Sequence, residues 1–125
     1  MKEIDQKLKV HKGIYVKKSN IHGWGVFTNL NIKKGEIVEE CVVPYDLIPL
    51  RSNVLGNYRY VWPSKKRFNS FCIALGFGSI YNHSKEKENI DWNINEKKRI
   101  IIFTAIKNIK KGEELLFNYK SLQFN

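Results

Sequence analysis

Apolar residues recur at every second position in several short runs of this chain, the pattern of half-buried strands. Residues 13–18 place Ile14 and Val16 on one face and Tyr15 on the other, and residues 26–28 resume the pattern after a turn at residues 19–25. Two further strands are predicted over residues 36–43 and 115–119. Residues 90–95 and 99–104 predict a hairpin with a polar turn at residues 96–98, since Arg99-Ile100-Ile101-Ile102-Phe103 has the β-branched density of a buried strand. Several short strands, little helix and no strand–helix alternation describe a mainly β domain.

Asn31-Ile32-Lys33-Lys34-Gly35-Glu36 recurs as Asn108-Ile109-Lys110-Lys111-Gly112-Glu113, each copy leading into an apolar stretch. Lys-Gly suits a turn that enters a strand, so the copies predict two similar corners of one small β fold; two copies of this length are too few for a solenoid. Between them, Pro44, Pro49, Gly56 and Pro63 break every periodicity, and part of residues 47–60 reads as a short helix or loop. Tyr58, Tyr60 and Trp62 share one face of an extended segment, which either lines a pocket or packs under a loop.

The glycine-rich run Ala74-Leu75-Gly76-Phe77-Gly78-Ser79-Ile80-Tyr81 delivers Asn82-His83-Ser84. Buried amide and imidazole groups are costly unless hydrogen-bonded, so these side chains either complete an ordinary turn or meet a ligand. Trp24, between Gly23 and Gly25, has the same two readings. It is a packed residue in a β-turn, or the cover over a backbone that approaches a ligand closely.

The length, 125 residues with 42% hydrophobic content, suits one compact unit preceded by a polar arm at residues 1–12. Lys and Arg total 22 against 12 Asp and Glu, a formal charge of +10 that is compatible with nucleic acid, an anionic surface or an acidic cofactor. The cations come in small sets at predicted turns, which favours solvated loops over a nucleic-acid stripe. Cys41 and Cys72 are far apart, without metal-site spacing or a disulfide framework, and read as reduced core residues. The first eleven residues are charged, and no run nears the roughly 18 apolar residues of a membrane helix; the expectation is a soluble cytoplasmic or nuclear protein.

Four fragments in order carry a family resemblance: His22-Gly23-Trp24-Gly25-Val26-Phe27, Leu75-Gly76-Phe77-Gly78, Asn82-His83-Ser84, and Gly112-Glu113-Glu114-Leu115 with Phe117-Asn118-Tyr119. Together, over residues 13–119, they resemble the SET-domain family of protein lysine methyltransferases. Val38-Glu39-Glu40-Cys41 and Ile102-Phe103-Thr104 look most like the minimal members found in large DNA viruses and bacteria. The resemblance implies a SET-domain (β-clip) fold of several small sheets, a single domain over residues 13–119. It also implies a knot-like crossing of the C-terminal strand with the segment around residues 82–84, and a short lid at residues 120–125. It implies S-adenosyl-L-methionine as methyl donor, held by Gly23, Trp24, Gly25, Asn82 and His83, with Phe124 left to close the site. Tyr119 is the implied catalytic residue, and Tyr60, Phe117 and Tyr119 the implied walls of a substrate channel. The implied substrate is a protein or peptide carrying a target lysine, such as a histone tail, and no metal is called for.

The chemistry suits such residues. Methyl transfer from a sulfonium needs a neutral amine in line with the S–CH3 bond. A lysine of pKa about 10.4 is neutral in only about one part in a few thousand at pH 7, so a water-poor aromatic channel and the adjacent positive charge must favour proton loss. The Tyr119 hydroxyl would then position the amine rather than relay a proton. Phe117 stands two residues before Tyr119, where family members with phenylalanine tend to add two or three methyl groups, so the resemblance implies di- or trimethylation. Three features depart from the family: no Pro follows Asn82-His83-Ser84, Lys120 stands where a glycine is common after the tyrosine, and there is no cysteine-rich tail for a zinc-bound lid.

A strongly basic enzyme would repel a basic peptide unless Glu36, Glu39, Glu40, Asp46, Glu113 and Glu114 gather at the groove. The alternatives are a non-catalytic SET-fold binding module or a basic nucleic-acid-binding adaptor, and a homodimer would finish an open-ended groove.

Overall fold

A computed structural model describes residues 7–43, 59–62, 70–95 and 97–118, with backbone alone at 59–62 and 70–73. Nine strands lie within these residues: β1 (Ile14–Lys18), β2 (Trp24–Thr28), β3 (Ile37–Val42), β4 (Arg59–Trp62), β5 (Ser70–Ile73), β6 (Asn82–His83), β7 (Ile90–Asn95), β8 (Ile100–Ala105) and β9 (Leu116–Phe117). They form four small sheets, antiparallel β1-β2, β3-β8-β7 and β4-β5 and parallel β6-β9, and the described residues contain no helix.

The core sits on the central strand β8, where Ile100, Ile101, Phe103 and Ala105 are buried between β3 and β7. Phe103 is the hub: its ring lies 4.7 Å from that of Tyr81 and 6.4 Å, edge-on, from that of Phe117. One aromatic cluster therefore joins the three-stranded sheet to β9 and to the residue just before β6.

The repeated hexapeptides pair with each other. Ile32 and Ile109, each 1% exposed, exchange backbone hydrogen bonds of 2.8 Å in both directions. Asn108 Oδ1 accepts from Lys34 N and Asn31 Oδ1 from Lys111 N, both at 2.9 Å. Within each corner a glutamate folds back to cap the first lysine N–H, Glu36 on Lys33 at 2.7 Å and Glu113 on Lys110 at 2.9 Å. Gly35 and Gly112 both adopt φ 93°, so the two copies are conformational twins.

The second corner aims β9 at β6, where Asn82 pairs with Leu116 and His83 with Phe117 in parallel. Buried Asn89 ties this crossing: its Oδ1 accepts from Leu116 N at 2.8 Å, and its Nδ2 donates to Glu114 O at 2.9 Å. The chain thus meets the expected mainly β fold of small sheets with a C-terminal crossing.

Some boundaries differ from expectation. β2 begins at Trp24, because Lys18 pairs with it across the turn. The irregular centre supplies a strand pair, β4-β5, of which β5 was not anticipated; residues 44–58 and 63–69, including Asp46 and Tyr58, lie outside the described residues. Cys41 is a buried free thiol, as expected.

Candidate functional site

Asn82 is the point where three distant parts of the chain meet. It is 6% exposed, and its Nδ2 donates to His22 O at 2.9 Å, to Trp24 O at 3.3 Å and to Glu114 Oε2 at 2.8 Å. The turn reading, in which Asn82 bonds its own neighbours, is therefore replaced by a clamp across sixty residues of sequence. Two N–H groups face three acceptors, and the longest contact, to Trp24 O, is the weakest. Asn82 Oδ1 makes no hydrogen bond to a described residue.

The turn itself is built by Ser19. Its backbone N–H donates to Gly23 O at 2.7 Å, while its hydroxyl accepts from Ile21 N at 2.9 Å and donates to Glu114 Oε1 at 2.8 Å. Glu114 thus grips both ends of the arrangement, Ser19 through one oxygen and Asn82 through the other. Gly25 packs directly against this carboxylate, where a Cβ would collide with it and touch Ser19 Cβ at 3.0 Å. The Trp24 indole is 60% exposed and stands on the surface.

Behind the site, Glu39 braces the run that delivers Asn82. It is 2% exposed, and its carboxylate accepts from Tyr81 OH at 2.7 Å and Phe77 N at 2.8 Å. Burial pushes its pKa above the usual carboxylate range, against the pull of these hydrogen bonds and one from Cys41. Burial, then the Glu39 charge, drives the Cys41 thiol upward in turn, so it stays protonated and unreactive.

The acids expected to line a groove are mostly employed elsewhere. Glu39 is interior, because a register shift between Ile37 and Glu39 turns two successive residues, Val38 and Glu39, inward. Glu36 and Glu113 cap their corners, and Glu40 accepts from Lys9 N at 2.8 Å. Glu114 alone of those described belongs to the site.

Of the residues singled out in the sequence, Gly23, Trp24, Gly25 and Asn82 come together. His83 is half-buried beside Asn82 in β6, opposite Phe117, whose ring is 1% exposed and packed on Phe103. Tyr60 is placed by its backbone only, opposite Cys72, and Tyr119 and Phe124 lie outside the described residues. Ser84 is a turn residue, its hydroxyl accepting from Lys87 N at 2.9 Å. Sequence reading missed Ser19 and the role of Glu114. The available signal was the position of Glu114, immediately after the second corner.

The acceptors gathered here, two main-chain carbonyls and the Glu114 carboxylate, all receive from Asn82 Nδ2 or the Ser19 hydroxyl. Among the described residues no cluster of His, Cys, Asp and Glu is arranged to hold a metal, and no helix is long and apolar enough to cross a membrane.

The SET-domain family model matches residues 23–120. Similar curated proteins include a Schizosaccharomyces pombe histone-lysine N-methyltransferase specific for H3 lysine-37, 35% identical over 66 residues that cover 53% of this chain and 42% of that one. A human histone-lysine N-methyltransferase specific for H3 lysine-36 is 31% identical over 107 residues, 78% of this chain and 4% of that one. The chain therefore spans less than half the length of these relatives. Among solved structures, a Plasmodium falciparum protein proposed to be a histone methyltransferase is 34% identical with a TM-score of 0.66, over 88% of this chain and 95% of that one. The Chaetomium thermophilum Polycomb Repressive Complex 2 bound to S-adenosylmethionine matches at 26% identity and TM-score 0.66, over 91% of this chain and 16% of that one. With the family model matched along most of its length and the fold shared with these neighbours, the chain belongs to the SET-domain family of protein lysine methyltransferases.

Proposed function

We propose that this chain is an S-adenosylmethionine-dependent protein-lysine N-methyltransferase acting on a histone or another lysine-rich segment. The observation that carries the reading is the Asn82 carboxamide drawn onto the carbonyls of His22 and Trp24 and onto Glu114. Support also comes from the relatives, named as histone-lysine methyltransferases, and from a neighbour solved with S-adenosylmethionine.

The bound donor would supply an electrophilic methyl group on a positively charged sulfur. The backbone of residues 23–25 and the side chains of Asn82 and His83 would hold it, with Glu114 providing the compensating negative charge and Phe124 closing over it. Tyr60, Phe117 and Tyr119 would exclude water from the target lysine, which favours its neutral amine. The Tyr119 hydroxyl would orient that amine, and such positioning is the larger part of catalysis when no covalent enzyme intermediate forms. Phe117 brings no hydroxyl to anchor a water in the space a second methyl must occupy, so the product would be di- or trimethyl-lysine.

Titration calorimetry tests the donor site. Wild type should bind S-adenosylmethionine, and Asn82→Ala should bind at least tenfold more weakly, the equivalent of about 1.4 kcal/mol. Equal affinity in both proteins, or no uptake by wild type, would overturn the reading.

A further inference from the structure

A strand at the edge of a sheet presents a row of unpaired main-chain groups, and several edges among the described residues are covered. The segment before β1 runs along β3, where Lys9 O accepts from Glu40 N and Val38 O from His11 N, both at 2.8 Å. On β7 the Asp91 carboxylate accepts from Trp92 N at 2.8 Å. The side of β2 away from β1 is taken by the stretch after the second corner: Val26 O accepts from Leu115 N at 2.7 Å, and Thr28 donates to Glu113 O and accepts from Gly112 N.

The outer side of β1 has no such cover. Bonds at the two ends of its ladder with β2, Asn29 N to Gly13 O at 2.8 Å and Ser19 N to Gly23 O at 2.7 Å, fix the alternation. Residues 13, 15, 17 and 19 therefore bond to β2, and the main-chain groups of Ile14, Val16 and Lys18 point the other way. Ile14 N donates to His11 O at 3.3 Å, but Ile14 O and both main-chain groups of Val16 and of Lys18 meet no partner among the described residues.

The side chains beside this edge set the chemistry of a partner. Val16 pairs with Val26 and Lys18 with Trp24, so Val16, Lys18 and Trp24 share a face, on which Val16 is 42% exposed. Residues 12–25 contain Lys12, Lys17 and Lys18 and no acid. All three lysines are exposed and none is in an ion pair among the described residues, Lys17 lying 4.7 Å over the Phe27 ring. A lysine-rich tail would meet like charge here, and a second copy of this chain would bring the same lysines to the ladder.

We propose that the outer edge of β1 is a docking site for an extended acidic segment of a partner protein, which adds to the sheet as a further strand. Ile14, Val16 and Lys18 hold its main chain, an apolar side chain packs on Val16, and carboxylates meet Lys17 and Lys18. β2 stands between this edge and Asn82, so docking neither requires nor supports methyl transfer.

The probe is a fluorescein-labelled peptide of alternating glutamate and valine, compared with one of alternating lysine and valine. Fluorescence anisotropy with the full chain should show saturable binding of the acidic peptide and none of the basic one. At saturation, hydrogen exchange at the Val16 and Lys18 amides should slow about tenfold or more, while Tyr15 and Lys17, already bonded to β2, change little. Val16→Pro removes an outward N–H and leaves the β1-β2 ladder intact, because proline is tolerated where a strand's N–H faces solvent. It should keep the wild-type circular dichroism spectrum and bind the acidic peptide at least about tenfold more weakly. The double variant Lys17→Glu/Lys18→Glu keeps every main-chain bond and should exchange the preference, losing the acidic peptide and binding the basic one; this readout stands even where the proline variant fails to fold. The proposal is overturned by any of four results: no saturable binding of the acidic peptide, equal affinity of wild type for both peptides, undiminished binding of the acidic peptide by folded Val16→Pro or by the double variant, or protection that appears away from β1.

Discussion

Replacing Glu39 measures how firmly the run before Asn82 is held. Glu39→Leu strips the acceptors from two inward-pointing donors, Phe77 N–H and Tyr81 O–H. Each unpaired donor costs about 1–3 kcal/mol, so the gross loss is about 2–6 kcal/mol. Relief from burying a carboxylate offsets part of it, leaving a net loss of about 2–3 kcal/mol, a large share of the stability of a small domain. Glu39→Gln keeps an oxygen for Phe77 N–H and a neutral partner for Tyr81, and should cost about 1 kcal/mol or less at pH 7. Urea unfolding at several pH values distinguishes the three proteins. Because burial raises the Glu39 pKa above 4.5, the folded chain just above that pH keeps a proton that the unfolded chain has released. The stability contributed by this group is thus present below pH 4.5 and lost as pH climbs through the raised value. The wild-type advantage over Glu39→Gln should accordingly shrink with rising pH. A leucine variant as stable as the glutamine one, or an advantage that grows with pH, would refute the account of this brace.

Three further outcomes follow from the site and the crossing. Gly25→Ala drives a Cβ into Glu114, whose carboxylate is pinned by Ser19 and Asn82, so donor affinity measured by calorimetry should fall about tenfold. Asn89→Ala leaves Leu116 N–H and Glu114 C=O unpaired at the β6-β9 crossing and should cost about 2–4 kcal/mol in a denaturant melt. Phe117→Tyr should shift the products toward monomethyl-lysine in intact-mass analysis of a substrate peptide; monomethyl product from wild type would contradict the proposed product.

The elements with strong local signals were legible in the sequence. The β7-β8 hairpin falls within a residue of its predicted bounds, since alternation and β-branched density act over a few neighbouring residues. The hexapeptide copies announced two corners, but their pairing depends on contacts between residues over seventy positions apart, such as Lys34 N with Asn108. Asn82 stood out as a polar group after an apolar run, while of its long-range company Glu114 was marked only by its place just after the second corner and Ser19 carried no local mark. Glu39 was misplaced because the β3 register shift defeats the alternation that a regular strand would obey. Trp24, read either as a packed turn residue or as a cover over the backbone, is not packed: its side chain is exposed and its backbone carbonyl meets Asn82.

Transfer of a labelled methyl group from S-adenosylmethionine to histone H3 tests the central claim most directly. Wild type should label the histone, and intact mass should place the added methyls on lysine. Tyr119→Phe should still bind the donor but transfer at least tenfold more slowly. Donor binding with no transfer by wild type, or undiminished transfer by Tyr119→Phe, would contradict the proposed methyltransferase mechanism.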